Sequence, residues 1–399
     1  MKIGIMTCWK SDDNYGQQMQ MFALQHYLRS KGHDAYLIRF SPNNARQMQT
    51  IKAGIKQPIK NIVKHFSKSL RDKMQLETEL KQLSEINKRQ NKKRCFDEFR
   101  SKFINMTDKI YRSSKELISN PPIADAYITG SDQVWYDPLT QPKAQCFFLQ
   151  FGSNKALRLS YAASIGRELN IEELPLFTKW LSSFSAISVR EESAQQQCFK
   201  VGYKETKLCI DPTLLLPVEY YSRIECQSAL QHHNNYLFMY ILNISSSEEI
   251  AWNRVKMYIE DKGLELKTVA SSGYEPAREL IPNNKNILAT IPDWLRLIKN
   301  ANSVVTTSFH GVVFSILYHR PFLAVLLTNE HSKANTRFLN LLGQLGLMDR
   351  IYDSNKPFDI QIDAEIDWKS VDSKIEKLSE EGKSYLCNSL GDIHHKEIQ

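Results

Sequence analysis

Short apolar strands alternate with amphipathic helices along this chain, and this alternation constrains the fold more than any other feature. The clearest case is TTSFHGVVFSILYHRPFLAV, residues 306–325. Within and beside it, SVVTTS (303–308) is β-branched, GVVFSILYH (311–319) has helical apolar spacing, and FLAVLL (322–327) is a second apolar run. These segments predict a strand, a short helix and a strand, with His310 at the first joint.

The same alternation occurs on both sides of a linker near Pro217. Strands are predicted within 2–9, 34–40, 125–135, 156–166, 185–203 (a strand followed by a helix), 207–216, 236–243 and 263–271, in addition to 303–308 and 322–327. A chain of 399 residues is too long for one ordinary core. We therefore predict two doubly wound α/β domains, 1–216 and 217–366, followed by a C-terminal helix and tail at 367–399.

A basic segment from about residue 46 to about residue 115 interrupts the first domain. Isoleucines recur at helical spacing between 51 and 62, and lysines recur every four residues between 52 and 68. One interpretation is an inserted helical pair that packs on the sheet. The other is an amphipathic helix on an anionic membrane surface or near a lipid-linked substrate. Pro58 would interrupt or kink such a helix in either case.

Charge and cysteine usage limit the cellular setting and the partners. The formal net charge is +8, which favours an anionic partner such as a phosphorylated substrate or an acidic membrane face. The 7 cysteines are scattered without a CxxC pair, and the first residues lack the apolar core of a signal peptide. We expect a cytoplasmic protein, either soluble or peripheral at the inner face of the membrane. We expect no nucleic-acid partner, because the basic residues concentrate in one segment without interleaved aromatic residues.

Several common enzyme signatures are absent from the sequence. It contains no GxxxxGK[ST], no GxGxxG after a strand, no HExxH and no GxSxG. P-loop NTPases, Rossmann dehydrogenases, zincins and α/β-hydrolases therefore lose their main sequence support. We expect no metal site, because no cluster has metal-ligand spacing.

Polar residues instead recur where predicted strands end. Five such joints are 12–16, 130–135, 164–167, 190–192 and 308–311. Ligands of open α/β sheets bind at the carboxyl ends of strands, so these joints are candidate site residues. Each joint also has a structural explanation, since an Asp or His before a helix can simply cap it and an Arg can pair with neighbouring carboxylates.

Taken together, these motifs resemble those of the polysaccharide pyruvyltransferase family, in an SFHG-type branch. The resemblance rests on NYGQQMQMFALQ (14–25), YITGSDQVW (127–135), YAASIG (161–166), SVREESA (188–194), DPTLLL (211–216), SFHGVVFSILYHRPFLAV (308–325) and NTRFLNLLGQLGLMDR (335–350). It implies a glycosyltransferase-B-like pair of Rossmann-like domains facing a cleft. It also implies transfer of pyruvate from phosphoenolpyruvate, a co-substrate, to a sugar hydroxyl pair as a ketal. The acceptor would be a bacterial capsule or exopolysaccharide, or its lipid-linked precursor, and no further cofactor is expected.

The resemblance assigns donor-binding residues. Arg190 matches one donor arginine of the family, whereas Ser308 stands where better-characterised relatives carry a second arginine in an S-x-R-L-H pattern. Arg337 or Lys333 could replace that missing cation. Phosphoenolpyruvate carries a phosphate and a carboxylate, so its site needs at least two cations or a helix N-terminus.

His310 and Gly311 would lie beside the donor. A histidine near neutral pKa can donate one proton and accept another, so His310 is the candidate general acid or phosphate ligand. Gly311 has no side chain and would let an anion approach the backbone N–H groups of a helix that begins near it.

The acceptor side is predicted in the first domain. Asp132 or Asp13 is the candidate base for the sugar hydroxyl. Acceptor contacts are expected from Asn14, Tyr15, Ser131, Gln133 and Trp135. The alternatives are that Asp13 and Asn14 cap the following helix and that Trp135 packs in the core rather than on a sugar.

Two other functions remain open from the sequence. A glycosyltransferase that uses a nucleotide sugar has the same architecture, but it would require a ribose-binding carboxylate and a base pocket that the sequence does not place. The second open function is that of a non-catalytic protein with the same fold. The feature that favours it is Ser308 in place of an arginine.

Overall fold

The structure is a computed structural model of the chain. It describes residues 1–12, 14–42, 89–136, 143–231, 234–244, 246–270, 287–328 and 332–391. Asp13 and residues 46–88 of the predicted insertion lie outside the described residues, as does the side chain of Lys333.

Ten strands are formed by the described residues. They are β1 (Lys2–Met6), β2 (Asp34–Leu37), β3 (Ala126–Thr129), β4 (Leu157–Ser160), β5 (Ser188–Val189), β6 (Lys207–Leu208), β7 (Tyr236–Ile241), β8 (Glu265–Ala270), β9 (Ser303–Thr306) and β10 (Phe322–Ala324). Every segment predicted to contain a strand therefore contains one.

The α-helices follow the predicted alternation. In the first half they are α1 (Tyr15–Ser30), α2 (Phe96–Phe103), α3 (Ser114–Ser119), α4 (Ala144–Phe147), α5 (Leu174–Leu181) and α6 (Glu192–Lys200). In the second half they are α7 (Val218–Glu225), α8 (Trp252–Asp261), α9 (Ile291–Lys299), α10 (Phe309–Leu317), α11 (Thr336–Leu345), α12 (Phe358–Asp363) and α13 (Trp368–Leu390). No helix among the described residues is long and apolar enough to cross a membrane.

The strands form two parallel sheets, which confirms the predicted α/β class with two Rossmann-like halves. The first sheet has four strands in the order β2-β1-β3-β4, and the second has four in the order β10-β9-β7-β8. All pairings in both sheets are parallel. A parallel pair, β5–β6, continues the first sheet through isolated bridges such as Leu159 to Ala186. The proposed domain boundaries at residues 216 and 366 stay predictions.

Burial explains why these segments form central strands. All residues of β3, β7 and β9 are buried, as is β1 apart from its first residue. Strands covered on both faces read as continuous apolar runs rather than as alternating ones. The helices that cover the faces begin with side-chain caps, such as Thr290 at α9, which accepts from the Asp293 N–H.

Two predicted boundaries are wrong. Helix α10 begins at Phe309 rather than near Gly311, because the Ser308 hydroxyl accepts from the Gly311 N–H and caps the helix earlier. The segment 207–216 is a strand only at β6, because the Asp211 carboxylate accepts from the Thr213 N–H and turns the chain into a 3-10 helix.

The two halves share one continuous core at their junction. Tyr15 of α1 stacks on Trp294 of α9, with ring centroids 5.3 Å apart, and its hydroxyl donates to the Ala289 carbonyl oxygen at 2.6 Å. Phe96 of α2 packs edge-on against Tyr15 at 5.0 Å. The described end of the predicted insertion therefore covers the fold at this junction.

Candidate active site

Polar side chains from both sheets converge where the strands end. Ser131 follows β3, Arg190 follows β5 and Asp211 follows β6, while His310 follows β9 of the second sheet. The Nε2 atom of His310 lies 3.7 Å from Oδ2 of Asp211, so the group joins the two halves. We refer to Ser131, Arg190, Asp211, His310 and Arg337 as the central cluster.

Asp211 is the most heavily bonded member of this cluster. Its Oδ2 atom accepts from Arg190 Nη1 at 2.6 Å and from Ser131 Oγ at 2.9 Å. Its Oδ1 atom accepts from the Thr213 hydroxyl at 2.7 Å. Burial by itself would raise the pKa of Asp211, but His310, Arg190 and the Thr213 hydroxyl together lower it below its ordinary value. Asp211 is therefore a buried, ionised carboxylate.

Arg190 keeps donors that no side chain in the described part of the chain satisfies. Its Nη1 atom donates to Asp211 and Ser131, but its buried Nε and Nη2 atoms have no hydrogen-bond partner. The guanidinium lies 4.8 Å from the ring centroid of Phe309. Buried donors without partners are costly, so this arrangement favours an anionic ligand. Asn340 of α11 fixes the backbone by donating to the Arg190 carbonyl oxygen at 3.0 Å.

His310 lies in the first turn of α10 and is 6% exposed. Its buried Nε2 atom has no hydrogen-bond partner. A Cβ atom placed on Gly16 would lie only 2.1 Å from Nδ1 of His310, so the start of α1 touches the imidazole ring. The ring is thus confined between α1, which lies beside Nδ1, and Asp211, which lies 3.7 Å from Nε2.

Arg337 of α11 reaches the same place from the second half. Its guanidinium lies 5.7 Å from the Phe309 centroid, the ring on which Arg190 also rests. Burial and the neighbouring charge of Arg190 lower the pKa of Arg337 to about 10, although Asp132, Glu191 and Asp211 act in the opposite direction. The two guanidinium groups thus lie close enough to repel each other, and Asp132, Glu191 and Asp211 supply negative charge near them.

The loop after β3 borders the central cluster. Asp132 has a positive φ of 84°, and its carboxylate accepts from Gln17 Nε2 at 3.2 Å and from the Gln133 N–H at 2.9 Å. Ser131 itself is fully buried. Ser131, Asp132 and Gln133 thus share one loop, and Ser131 bonds Arg190 at 3.1 Å; their roles in binding an acceptor stay predictions.

Other predicted site residues pack in the core, cap helices or allow a strand and a helix to pack closely. Tyr15 and Trp135 are 0% and 1% exposed, so neither ring can reach a sugar here; Trp135 stacks on Phe148 at 5.0 Å. Asn14 and Ser308 cap helices α1 and α10. A Cβ atom on Gly311 would lie 2.3 Å from the Thr306 hydroxyl, so this glycine permits strand–helix packing rather than the approach of an anion.

Sequence reasoning assigned no role to two carboxylates, although Glu191 lies in the candidate joint 190–192. Asp211 belongs to the quoted motif DPTLLL, but its role at the centre of the cluster requires the three-dimensional contacts. Glu191 directly follows Arg190, and its Oε1 atom accepts from Ser164 Oγ and from the backbone N–H groups of Ile165 and Gly166 at 2.9 to 3.1 Å. Its buried Oε2 atom has no hydrogen-bond partner among the described residues. A carboxylate immediately after a strand-end arginine was the available signal.

A cleft of about 1140 Å³ lies elsewhere, between strand β6 and helix α13. It is lined by residues such as Lys207, Cys209 and Tyr385 and includes no member of the central cluster. The chemistry of the cluster therefore does not depend on it.

Comparisons with known proteins identify one matching family. The model for "Polysaccharide pyruvyl transferase" matches residues 14–329. No curated protein matches the chain.

Several solved structures resemble the chain at low identity. UDP-N-acetylglucosamine 2-epimerase from Rickettsia bellii has a TM-score of 0.46 at 10% identity, over 97% of this chain and 98% of that one. The Methanocaldococcus jannaschii UDP-GlcNAc 2-epimerase in complex with UDP-GlcNAc and UDP has a TM-score of 0.48 at 10% identity, over 95% and 100%. Acinetobacter baumannii MurG has a TM-score of 0.40 at 8% identity, over 98% and 92%.

Proposed function

Because this chain belongs to the polysaccharide pyruvyl transferase family, we propose that it transfers a pyruvyl group from phosphoenolpyruvate to two hydroxyls of a sugar. The acceptor is a sugar of a surface polysaccharide or of its lipid-linked precursor, and the product is a cyclic ketal. The observation that carries the proposal is the pair of guanidinium groups of Arg190 and Arg337 on Phe309, with buried Arg190 donors that lack partners.

The charge of the donor suits this pair. Phosphoenolpyruvate carries a phosphate and a carboxylate on a three-carbon frame. Each guanidinium can pair with one anionic group through two parallel hydrogen bonds. Asp211 already occupies Nη1 of Arg190, which leaves Nε and Nη2 for the ligand. Arg337 takes the place of the cation that is absent at Ser308.

The reaction begins with protonation of the donor. His310 transfers a proton to the methylene carbon, which becomes a methyl group, and positive charge develops on the carbon that carries the phosphate. A sugar hydroxyl adds to that carbon while Asp132 accepts its proton. The bond between this carbon and the phosphate oxygen then breaks, and a second hydroxyl of the same sugar closes the ring.

The proton count balances without another reactant. The two hydroxyls lose two protons in total. One replaces the proton that His310 gave to the methyl carbon, and the other leaves with the phosphate as inorganic hydrogen phosphate. Before the reaction Asp211 is ionised because His310, Arg190 and the Thr213 hydroxyl lower its pKa, and we assign it to holding Arg190 in place rather than to transferring protons.

The cellular setting is part of the proposal. A lipid-linked acceptor would be available at the cytoplasmic face of the membrane, and the net charge of +8 favours an anionic surface. The basic residues between 46 and 88, which lie outside the described residues, are the segment we propose to make that contact.

Ligand-induced stabilisation tests the donor. The melting temperature of the purified protein would be compared with phosphoenolpyruvate, and separately with UDP-sugars and UDP. Binding at a hundredfold excess over Kd stabilises the folded state by about 2.7 kcal/mol. We expect a shift with phosphoenolpyruvate that is lost in Arg190→Ala and retained in Arg112→Ala, an exposed arginine. A shift with UDP-sugars alone would reassign the chain to glycosyl transfer. Stabilisation by neither ligand would instead favour a non-catalytic role.

A further inference from the structure

An exposed aromatic ring lies next to the buried tryptophan of the loop after β3. Tyr136 is 42% exposed, whereas its neighbour Trp135 is 1% exposed. The Tyr136 N–H donates to the Gln133 carbonyl oxygen at 3.2 Å, and its own carbonyl oxygen accepts from Arg167 Nε at 2.9 Å. The backbone of Tyr136 is therefore fixed while its ring remains open to solvent.

Gly166 brings this ring and the amide of Gln133 together. A Cβ atom on Gly166 would lie 3.2 Å from Cδ2 of Tyr136 and 2.3 Å from Nε2 of Gln133. Gly166 has a φ of +67°, and its N–H donates to Glu191 at 3.1 Å. A side chain at this position would displace the Gln133 amide, so the glycine creates a platform formed by one ring and one amide.

One short loop connects the platform with the central cluster. Ser131 lies 3.1 Å from Arg190 at one end of the loop, and Tyr136 lies at the other end. Asp132, our proposed base, lies between them. The side-chain amide of Gln133 makes no hydrogen bond to any residue in the described ranges, so it remains available to a ligand.

An aromatic face beside free polar groups suits a pyranose. Sugar rings carry an apolar face of C–H groups that packs on aromatic rings, and hydroxyls around the edge that pair with amides and carboxylates. We propose that Tyr136 and Gln133 form the acceptor subsite, with the sugar ring on Tyr136 and its hydroxyls directed toward Asp132. This inference rests on the proposed function, because it supplies the acceptor for that reaction.

Saturation-transfer NMR tests the subsite without phosphoenolpyruvate. The probes are methyl β-D-galactopyranoside, methyl β-D-glucopyranoside and methyl α-D-mannopyranoside. The wild type should saturate at least one glycoside, most strongly at the ring protons of one face. Tyr136→Ala and Tyr136→Leu should each raise its Kd about two- to tenfold, since an aromatic pair contributes about 0.5–1.5 kcal/mol beyond its buried area. Tyr136→Phe keeps the ring and should bind like the wild type.

Two controls separate binding from folding. Ile171→Ala removes another exposed apolar side chain, 76% exposed, and should leave saturation unchanged. The melting temperature of each variant shows whether it folds. If Tyr136→Ala does not fold, Tyr136→Leu, which keeps apolar volume, gives the test. Wild-type saturation in both folded variants, or none in the wild type with any of the three glycosides, overturns the subsite.

The donor experiment keeps the two proposals apart. If phosphoenolpyruvate stabilises the wild type but Tyr136→Ala binds glycosides as the wild type does, only the acceptor subsite is wrong. If the glycosides bind through Tyr136 while phosphoenolpyruvate has no effect, the donor assignment is wrong and the sugar subsite stands.

Discussion

The Nη1 atom of Arg190 lies 2.6 Å from Oδ2 of Asp211, and the side chains are 3% and 0% exposed. This buried pair crosses from the end of β5 to the turn after β6. It holds one edge of the guanidinium against protein, while Nε and Nη2 keep no hydrogen-bond partner. A buried charge pair of this kind fixes geometry more reliably than it adds stability.

Replacing Asp211 by Asn should destabilise the protein at neutral pH. The change leaves the Arg190 charge buried without its partner, which costs about 3–5 kcal/mol in comparable cases. Urea unfolding at pH 7 measures the loss. Asp261→Asn, at an exposed helix end, is the matched control and should unfold like the wild type.

The stability difference between the wild type and Asp211→Asn should also depend on pH. The pKa of Asp211 is lowered in the folded state, so its ionised form stabilises the fold above its unfolded pKa of about 3.9. That stabilisation is lost as the pH falls from about 4 toward the lower folded pKa. The difference in unfolding free energy between the wild type and Asp211→Asn should therefore shrink below about pH 4. An unchanged difference at acidic pH would show that Asp211 is not the titrating group.

Replacing Arg337 by Gln should weaken the binding of phosphoenolpyruvate. Hydrogen bonds to charged groups contribute about 1.5–3 kcal/mol, so Kd should rise tenfold or more. Arg337→Lys keeps the charge but loses the planar guanidinium, so its Kd should lie between those of the wild type and Arg337→Gln. Isothermal titration measures Kd, and Arg223→Gln, an exposed arginine stacked on Tyr220, serves as the control. Wild-type affinity in Arg337→Gln would place the second donor cation elsewhere.

Replacing His310 by Ala or Asn should reduce turnover by about 10²–10⁴-fold, the usual contribution of a positioned acid or base. Release of inorganic phosphate in the presence of an acceptor sugar is the assay. If KM for phosphoenolpyruvate rises while kcat is kept, His310 is a phosphate ligand instead. The control is His319→Ala, just beyond the other end of α10, where the ring stacks on Trp368 and bonds Asp372 at 2.9 Å. That variant should turn over at the wild-type rate.

Replacing Gly16 by Ala should lower both stability and turnover. The added Cβ would lie 2.1 Å from Nδ1 of His310, so the ring or α1 must move. Gly343→Ala is the matched control, because nothing lies within 4 Å of its Cβ in helix α11. That change should raise the unfolding free energy by about 0.5–1 kcal/mol, the usual gain over a helical glycine. Thermal unfolding and the phosphate assay together measure both effects, and normal turnover in Gly16→Ala would show that the contact is dispensable.

Local patterns predicted the elements but not all of their limits. The ten strands fall within predicted segments because buried parallel strands need continuous apolar runs, which are visible in sequence. The start of α10 was placed two residues late, since a serine cap and a glycine inside the first turn look alike without coordinates. The strand prediction for 207–216 was too long for a related reason. The apolar residues after Pro212 pack in a turn rather than in a strand.

Site residues were predictable only as far as strand ends reveal them. Ser131, Asp132, Arg190 and His310 each follow a strand, so their place at the carboxyl edge of a sheet was predictable, whereas the meeting of the two edges was not. Trp135 and Tyr136 are adjacent aromatic residues, and no periodic pattern in a loop says which one is buried. Asp211 needed contacts from β3, β5 and α10 before its position could be recognised.

The sequence by itself determined the α/β class, the order of the strands along the chain and the family motifs, because these depend on local composition and spacing. Only the tertiary structure decided which strand ends meet, which carboxylate lies at their centre and which aromatic ring stays exposed. Those outcomes depend on how two sheets pack through Tyr15 and Trp294, and burial is a property of the whole fold rather than of any short segment.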